Sequence, residues 1–349
     1  MEKLLCDWSG ETVVIHRDLP TGAWILIAIH STRLGPAAGG TRMKPYDGLQ
    51  AAVQDVFRLA EGMTYKFSGA GATFGGGKAV IALPTDFDPQ TRAGLLRRYG
   101  KLVHQLGGLF YTAADVGTSA EDMDIVAETG DPFVFGRTPA RGGAGSSGPA
   151  TALGVFTAMQ VVCERLYGLA SPKGRRVLVQ GTGSVGGTLI KHLLAEGANV
   201  AFSEIDEDSI RQFRDDMGLE FVSPESLYAE ACDIFAPCAL GGILSADTIP
   251  RLQCEAVVGA ANNQLSEPQD AERLRSRGIL YAPDYVVNSG GALYIPAVES
   301  QGLTHEQAEQ LVIETVSRTL QSVLELAATD KITTDAAARR LAVERLRGV

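Results

Sequence analysis

Lys66 and Lys78 stand twelve residues apart in the segment Lys66-Phe-Ser-Gly-Ala-Gly-Ala-Thr-Phe-Gly-Gly-Gly-Lys78. Two ammonium groups converging on one pocket would bind an anionic group and depress each other's pKa. A lysine so depressed becomes a base. Three consecutive glycines before Lys78 are entropically costly, so something is expected to approach the backbone closely there. The apolar run Ala79 to Leu83 reads as a strand, with Lys78 at its edge. Asp115 follows another apolar run, Leu109 to Thr112, and a carboxylate at a strand end can face a cleft. Asn262, in Gly259-Ala-Ala-Asn-Asn-Gln264, also ends an apolar run. Taken singly, each has a plain structural reading: solvated lysines on a flexible loop, an aspartate cap, an asparagine turn.

The elements that must position these groups are legible in outline. Thr12 to His16 and Trp24 to Ile29 read as strands, and Leu49 to Leu59 has helical periodicity through Ala52, Val53, Val56 and Leu59. With the strands after Lys78 and near 109–112 they make one α/β unit. Residues 137–151 are rich in Gly, Ser and Pro and mark a domain boundary. A helix from about Ala150 to Leu166 follows, then a βαβ unit: strand Arg176 to Gln180, a glycine turn, a helix through Leu194, and strand Asn199 to Ser203. Further strands at 233–236, 256–259 and 279–282 alternate with helices, as a doubly wound sheet requires. In the tail, Thr304 with Gln307 makes a capping box. Val312, Val316, Leu320, Val323 and Ala327 then line one face, and Thr334 is the expected cap of the last helix.

The turn Gly181-x-Gly183-x-x-Gly186 is weak as a bare pattern, but here it joins a strand to a helix. Gly181 suits the tight turn, Gly183 the approach of a pyrophosphate and Gly186 helix–strand packing. The helix N-terminus offers amide donors. Glu204, 23 residues after Gly181, closes the next strand; it would accept the ribose hydroxyls and repel a 2′-phosphate. Ile205 and Asp206 follow, not arginine, which favours NAD over NADP.

The whole chain narrows the classes. Its 349 residues suggest two domains, and its 45% hydrophobic content permits a large core. A net charge of −10 argues against nucleic-acid or anionic-membrane partners. The five cysteines show no metal spacing, and Cys232 and Cys238 read as buried reduced thiols of a cytoplasmic protein. The first residues have no signal-peptide core, no apolar run is long enough to span a bilayer, and no histidine cluster suggests a metal.

The ordered set Gly35-Pro-Ala-Ala-Gly-Gly-Thr-Arg42, Met63-Thr-Tyr-Lys66, Gly75-Gly-Gly-Lys78, Thr112-Ala-Ala-Asp-Val-Gly-Thr118, Gly181-x-Gly-x-x-Gly186, Ala236-Pro-Cys-Ala239, Gly259-Ala-Ala-Asn-Asn263 and Tyr281-Ala-Pro-Asp-Tyr-Val-Val-Asn-Ser-Gly-Gly291 resembles the glutamate/leucine/phenylalanine/valine dehydrogenase family over nearly the whole chain. The resemblance implies NAD-dependent reversible oxidative deamination of an L-amino acid to a 2-oxo acid and ammonia. Lys66, helped by Asn262, would hold the substrate α-carboxylate. Lys78 would activate water, its pKa lowered by Lys66 and burial, and Asp115 would exchange protons with the amino group. Gly40, Met63, Ala38, Ala292 and Ile295 would complete substrate binding. Gly181, Gly183, Ser184, Val185, Gly186, Glu204, Ile205, Thr151, Pro237, Cys238, Ala239 and Asn262 would hold NAD. The implied fold is a two-domain α/β protein: a substrate and oligomerisation domain over 1–138, completed by about 322–349, and a Rossmann-type NAD domain over 139–321, separated by a cleft. A homo-oligomer is implied as well.

Glutamate-specific members carry lysine at the position of Ala38, which argues against glutamate. Leucine and valine enzymes typically carry leucine there and valine at the position of Ala292. Alanine at both enlarges the pocket and suits an aromatic ring, since an aliphatic substrate would leave voids. The segments Gly35 to Arg42, Phe133 to Arg137 and Arg141 to Ser147 look most like phenylalanine dehydrogenases. L-Phenylalanine is therefore the expected substrate, with tryptophan, leucine and valine as alternatives. Tyr294 and Ile295 could refill the space. A dinucleotide-binding sensor without turnover is the alternative of another class.

Overall fold

A computed structural model describes residues 2–348. The outermost residues of the expected first domain, Met1 and Val349, lie outside the described residues. The chain divides into two compact units: residues 1–147 with 295–304 and 342–349, and residues 148–294 with 305–341. The first unit thus reaches Ser147 rather than 138, and only the last residues of the tail join it. Residues 322–341 belong to the second unit, because their apolar stripe is used there.

The first unit runs α1 (Glu2–Asp7), β1 (Thr12–Arg17), β2 (Trp24–Ser31), β3 (Ala37–Pro45), α2 (Leu49–Ala70), β4 (Gly75–Leu83), α3 (Arg92–Gln105), β5 (Phe110–Ala114) and α4 (Ala120–Gly130). Its sheet has the order β1-β2-β4-β3-β5; β1 and β2 are antiparallel to their neighbours, while β4, β3 and β5 run parallel. Strand alternation divides the core into two layers. Ile25, Ile27, Ile29, Ala79 and Ile81 pack with Leu95, Leu96, Tyr99 and Val103 of α3 and with Met123 and Val126 of α4. Leu26, Ala28, Val80 and Ala82 pack with Ala52, Val53, Val56, Phe57 and Ala60 of α2.

Two local expectations change here. Helix α2 extends far beyond Leu59, carries Lys66 in its last turns and ends at Gly71, whose φ of 71° is left-handed. The three glycines are not a loop but the first residues of β4, an interior strand. Lys78 therefore lies inside a strand, not at its edge. The close approach that the glycines permit is made by the protein itself. A methyl group at Gly75 would overlap the Ser31 carbonyl, one at Gly76 would overlap Thr64 of α2, and one at Gly77 would press on the Phe110 ring.

The second unit runs α5 (Gly148–Tyr167), β6 (Arg176–Gln180), α6 (Ser184–Glu196), β7 (Asn199–Ser203), α7 (Glu207–Arg211), β8 (Glu220–Phe221), β9 (Ile234–Pro237), β10 (Ala256–Val257), α8 (Asp270–Ser276), β11 (Leu280–Tyr281) and α9 (Asp284–Val287). Helix α10 (Gly290–Glu299) crosses the division, and α11 (His305–Asp330) and α12 (Thr334–Arg347) follow. The sheet is wholly parallel, with the order β11-β10-β9-β6-β7-β8. Counted from β6 this is 3-2-1-4-5-6, the Rossmann arrangement, with its topological switch between β6 and β9. Helix α6 lies against β6 and β7, α5 packs on α6, and α11 packs on α5 through the face that includes Val312, Val316, Leu320 and Val323. On α12 the cap is Thr333, whose hydroxyl accepts from the Ala336 amide at 3.1 Å. Thr334 instead donates to the Tyr281 carbonyl at 2.6 Å. Among the described residues no helix is long and apolar enough to cross a membrane. All five cysteines are free: Cys6 is exposed, Cys163 is buried, and Cys232 and Cys238 are only partly covered.

The glycine packing yields a prediction. Gly76→Ala is expected to destabilise the protein by about 3 kcal/mol, the upper range for overpacking a core, because its methyl group meets the Thr64 backbone as well as its side chain. Urea unfolding followed by circular dichroism measures this; an unchanged midpoint would contradict the packing account.

Candidate active site

On β3, residues alternate between the two layers. Thr41 faces the core with Tyr99 and Thr112: its hydroxyl lies 2.6 Å from each of their oxygens, and Tyr99 donates to Thr112 at 2.8 Å. This buried network ties β3 to β5 and α3. Ala38, Gly40 and Arg42 point to the opposite layer. Gly40 pairs with Ala113 on one side, and the Thr41–Ala79 pairing places it beside Lys78 on the other. A methyl group at Gly40 would approach Cβ of Asp115 within 2.8 Å. A side chain there would crowd Asp115, the partner of Lys78.

Lys78 is 5% exposed, and its Nζ lies 3.2 Å from Oδ1 of Asp115. Arg42 donates from Nε to the other oxygen, Oδ2, at 3.0 Å. Arg42 also donates from Nη1 to Asp55 Oδ2 at 3.0 Å, and Asp55 further accepts from Tyr46 at 2.7 Å and Arg58 at 2.9 Å. The result is a row of alternating charges, Lys78, Asp115, Arg42, Asp55 and Arg58, across β4, β5, β3 and α2. The backbone holding Asp115 is fixed too. Its amide donates to the Thr118 hydroxyl at 2.9 Å, and that hydroxyl donates to the Thr41 carbonyl at 2.8 Å.

Burial is the largest influence on Lys78 and lowers its pKa; Asp115 opposes this, while Arg42 reinforces it. Arg42 is thus a cation acting on Lys78 beyond the expected Lys66. Burial raises Asp115, but Lys78 and Arg42 outweigh it and hold the carboxyl below its usual range. An ionised carboxylate beside an amine poised to lose its proton is an acid–base pair.

The other expected substrate groups of this unit lie on α2, β3 and α10. Lys66 and Met63 are half-buried on α2, and Met63 lies against Gly39. Ala38 is 3% exposed and pairs with Tyr111 of β5. The Tyr111 ring stacks on Phe135 with centroids 5.0 Å apart, and Phe74 stands edge-on to both. Ile295 packs beside Gly136.

The second unit presents the cofactor frame. Gly181 has φ 88°, and a methyl group there would press on Ala239; one at Gly186 would overlap the Gly181 carbonyl. At Gly183 no atom stands within contact of an added methyl, and Ser184, at the N-terminus of α6, is exposed. This open glycine at a helix start fits a pyrophosphate. Val185 follows on α6. Glu204 stands at the end of β7, accepting from the Thr182 amide and hydroxyl at 2.8 and 2.9 Å and from the Ile205 amide at 2.7 Å. Burial raises its pKa, but these donors outweigh burial and keep it ionised. Pro237 ends β9, Cys238 and Ala239 follow it at the switch point, and Ile205 and Leu240 are exposed. Burial pushes the Cys238 thiol up to about 12, so it is inert. The Thr151 hydroxyl accepts from the Gly291 amide at 3.2 Å. Asn262 is exposed, and its Oδ1 accepts from Asn288 Nδ2 at 2.9 Å. Ala292 is half-buried on α10.

Arg42, Asp55 and Asn288 escaped the sequence reading as functional positions. Arg42 had a signal: it is two residues from Gly40 and four from Ala38, hence on the same strand face. Asp55 and Asn288 had none, because their partners are distant in sequence.

A dinucleotide-binding sheet in one unit and a buried lysine–aspartate pair in the other define a dinucleotide-dependent oxidoreductase. Residues 22–131 match the family description "Glu/Leu/Phe/Val dehydrogenase, dimerisation domain", and residues 142–206 and 201–348 match "Glutamate/Leucine/Phenylalanine/Valine dehydrogenase". The chain is 42% identical to leucine dehydrogenase of Bacillus subtilis over 99% of its length and 93% of that protein. It is 41% identical to phenylalanine dehydrogenase of Lysinibacillus sphaericus, over 97% and 89%. The crystal structure of L-tryptophan dehydrogenase from Nostoc punctiforme superposes with a TM-score of 0.83 at 36% identity, covering 100% of this chain and 99% of that one. The chain belongs to the glutamate/leucine/phenylalanine/valine dehydrogenase family and is an amino acid dehydrogenase.

Lys78→Ala is expected to lower kcat by about 10²–10⁴-fold, the usual loss of a general base, while NADH binding to the second unit, read by fluorescence, persists. With Lys78 as the base, the wild-type rate should rise with pH through a midpoint below that of an ordinary lysine, the direction in which burial moves it. A profile with no such limb would contradict Lys78 as the base.

Proposed function

We propose that this protein catalyses the NAD-dependent, reversible oxidative deamination of an apolar L-α-amino acid, with L-phenylalanine foremost. The amino acid, water and NAD⁺ would give the 2-oxo acid, ammonium, NADH and a proton. The single observation that carries the reading is the buried Lys78–Asp115 pair beside side-chain-free Gly40. Ionised Asp115 takes a proton from the substrate ammonium, because a protonated amine cannot release hydride. Bound NAD supplies the hydride acceptor. Neutral Lys78 then takes a proton from the water that adds to the imine carbon and later polarises the forming carbonyl oxygen, while Asp115 returns its proton to the departing ammonia. Lys66 pairs with the α-carboxylate.

Ala38 offers no cation, so a side-chain carboxylate would be buried unpaired. The aromatic wall of Tyr111, Phe74 and Phe135 suits edge-on contact with a substrate ring. A second reading, leucine or valine, rests on the similarity to leucine dehydrogenase. For the cofactor, the ionised Glu204 carboxylate disfavours a 2′-phosphate. A homo-oligomer is proposed from the matching description of residues 22–131.

NADH formation at alkaline pH with L-phenylalanine, L-tryptophan, L-leucine, L-valine and L-glutamate tests the substrate. The highest kcat/KM is expected with phenylalanine and the lowest with glutamate; a preference for leucine or valine would establish the second reading instead. Glu204→Ser should reduce the preference for NAD over NADP by at least about tenfold, because juxtaposed like charges cost several kcal/mol. An unchanged ratio would remove Glu204 from cofactor selection.

A further inference from the structure

We propose that Arg42 is a positioning residue of this reaction, anchored by Asp55, which holds Asp115 by Oδ2 so that Oδ1 faces Lys78. The inference rests on the reading of Lys78 and Asp115 as the acid–base pair.

Geometry carries the argument. An aspartate that must both take and return a proton needs a fixed orientation, with a lone pair of one oxygen left for the reacting nitrogen. Here each oxygen has its own cation: Oδ1 has Lys78 at 3.2 Å and Oδ2 has Arg42 at 3.0 Å. Arg42 contacts Asp115 through Nε and Asp55 through Nη1, so the planar guanidinium is pinned at two separate points. A lysine cannot make this bridge, because its ammonium is one point on a flexible stem. Asp55 is itself fixed, its two oxygens taken by Arg42, Tyr46 and Arg58. Arg42 and Asp55 side chains are 17% and 13% exposed, so solvent screens them little. The charged groups bearing on Asp115 and Lys78 include Arg42 from β3 and Asp55 from α2 as well as each other, while Tyr46 and Arg58 act on Asp55, and Lys66 of α2 is the cation expected at the same site. Arg42 also has an electrostatic effect: it holds Asp115 ionised and disfavours the protonated amine of Lys78.

Three variants separate positioning from bulk stability: Arg42→Lys, Arg42→Gln and Asp55→Asn. Each is measured for thermal midpoint, for kcat and KM with amino acid and NAD between pH 7 and 11, and for the pH dependence of Lys78 labelling by fluorodinitrobenzene, read on the Lys78 peptide by mass spectrometry with Lys191 as reference. Arg42→Lys, which keeps the charge and loses the bridge, is expected to lower kcat by about 100-fold, as for a misplaced catalytic group, with its pH limb close to wild type. Arg42→Gln should lose a similar factor. It should also move both the pH limb and the Lys78 labelling midpoint upward, because the repelling cation is gone. Asp55→Asn should lose about tenfold in kcat with the NAD KM unchanged. The proposal is overturned if the folded Arg42 variants keep kcat within about threefold of wild type. It is overturned equally if activity falls only in step with the thermal midpoint while the limb and the labelling midpoint stay put. If the wild type turns over no amino acid, the functional reading fails. The labelling midpoints then still decide: an upward move in Arg42→Gln supports the coupling, and no move ends it.

Discussion

The row of alternating charges that runs from Lys78 through Asp115, Arg42 and Asp55 to Arg58 is the constraint on which the first unit depends. Removing an ion from water is expensive, and attraction repays it only when geometry and hydrogen bonding are good. Lys78, Asp115, Arg42 and Asp55 are largely covered, so none of these four can leave without loosening a charged neighbour. The strand order fits this row: β3, which carries Gly40 and Arg42, lies between β4, which carries Lys78, and β5, which leads to Asp115. A second network lies on the reverse face, where Thr41, Tyr99 and Thr112 lock β3 and β5 in register.

Glycine serves two different physical ends in the two units. In β4 the glycines admit protein: helix α2, the Ser31 carbonyl and the Phe110 ring occupy the space their side chains would need. Gly40 likewise leaves room for the Ala114 carbonyl and the Asp115 side chain. In the turn after β6, Gly181 and Gly186 again admit protein, while Gly183 stands open and leaves room for a ligand phosphate. The same residue type, read from the chain alone, does not tell which of these applies.

Both units place their working carboxylate just beyond the carboxyl end of a parallel strand and hold it ionised against burial. Asp115 after β5 relies on the cations Lys78 and Arg42; Glu204 after β7 relies on the donors of Thr182 and Ile205. The difference follows from the chemistry each proposed role requires. A proton-transferring carboxylate benefits from a partner that can itself change protonation. A carboxylate that only accepts hydroxyl hydrogen bonds needs neutral donors that hold it still.

Much of this was legible in the sequence. The βαβ unit, the glycine turn with Glu204 at its reading distance, the apolar alternation of β2 and the stripe of α11 are local patterns, and periodicity alone specifies them. The ordered motifs identified the family because they recur in order along nearly the whole chain. Other matters belonged to the tertiary structure alone. That Lys78 lies inside an interior strand, that Lys66 rides a helix, and that Thr333 rather than Thr334 caps α12 follow from contacts between segments far apart in the chain. The pairing of Arg42 with both Asp115 and Asp55 is of the same kind: their separations of 73 and 13 residues carry no periodic signal. Burial, which sets the protonation of Lys78, exists only once the sheet and α2 have closed over it.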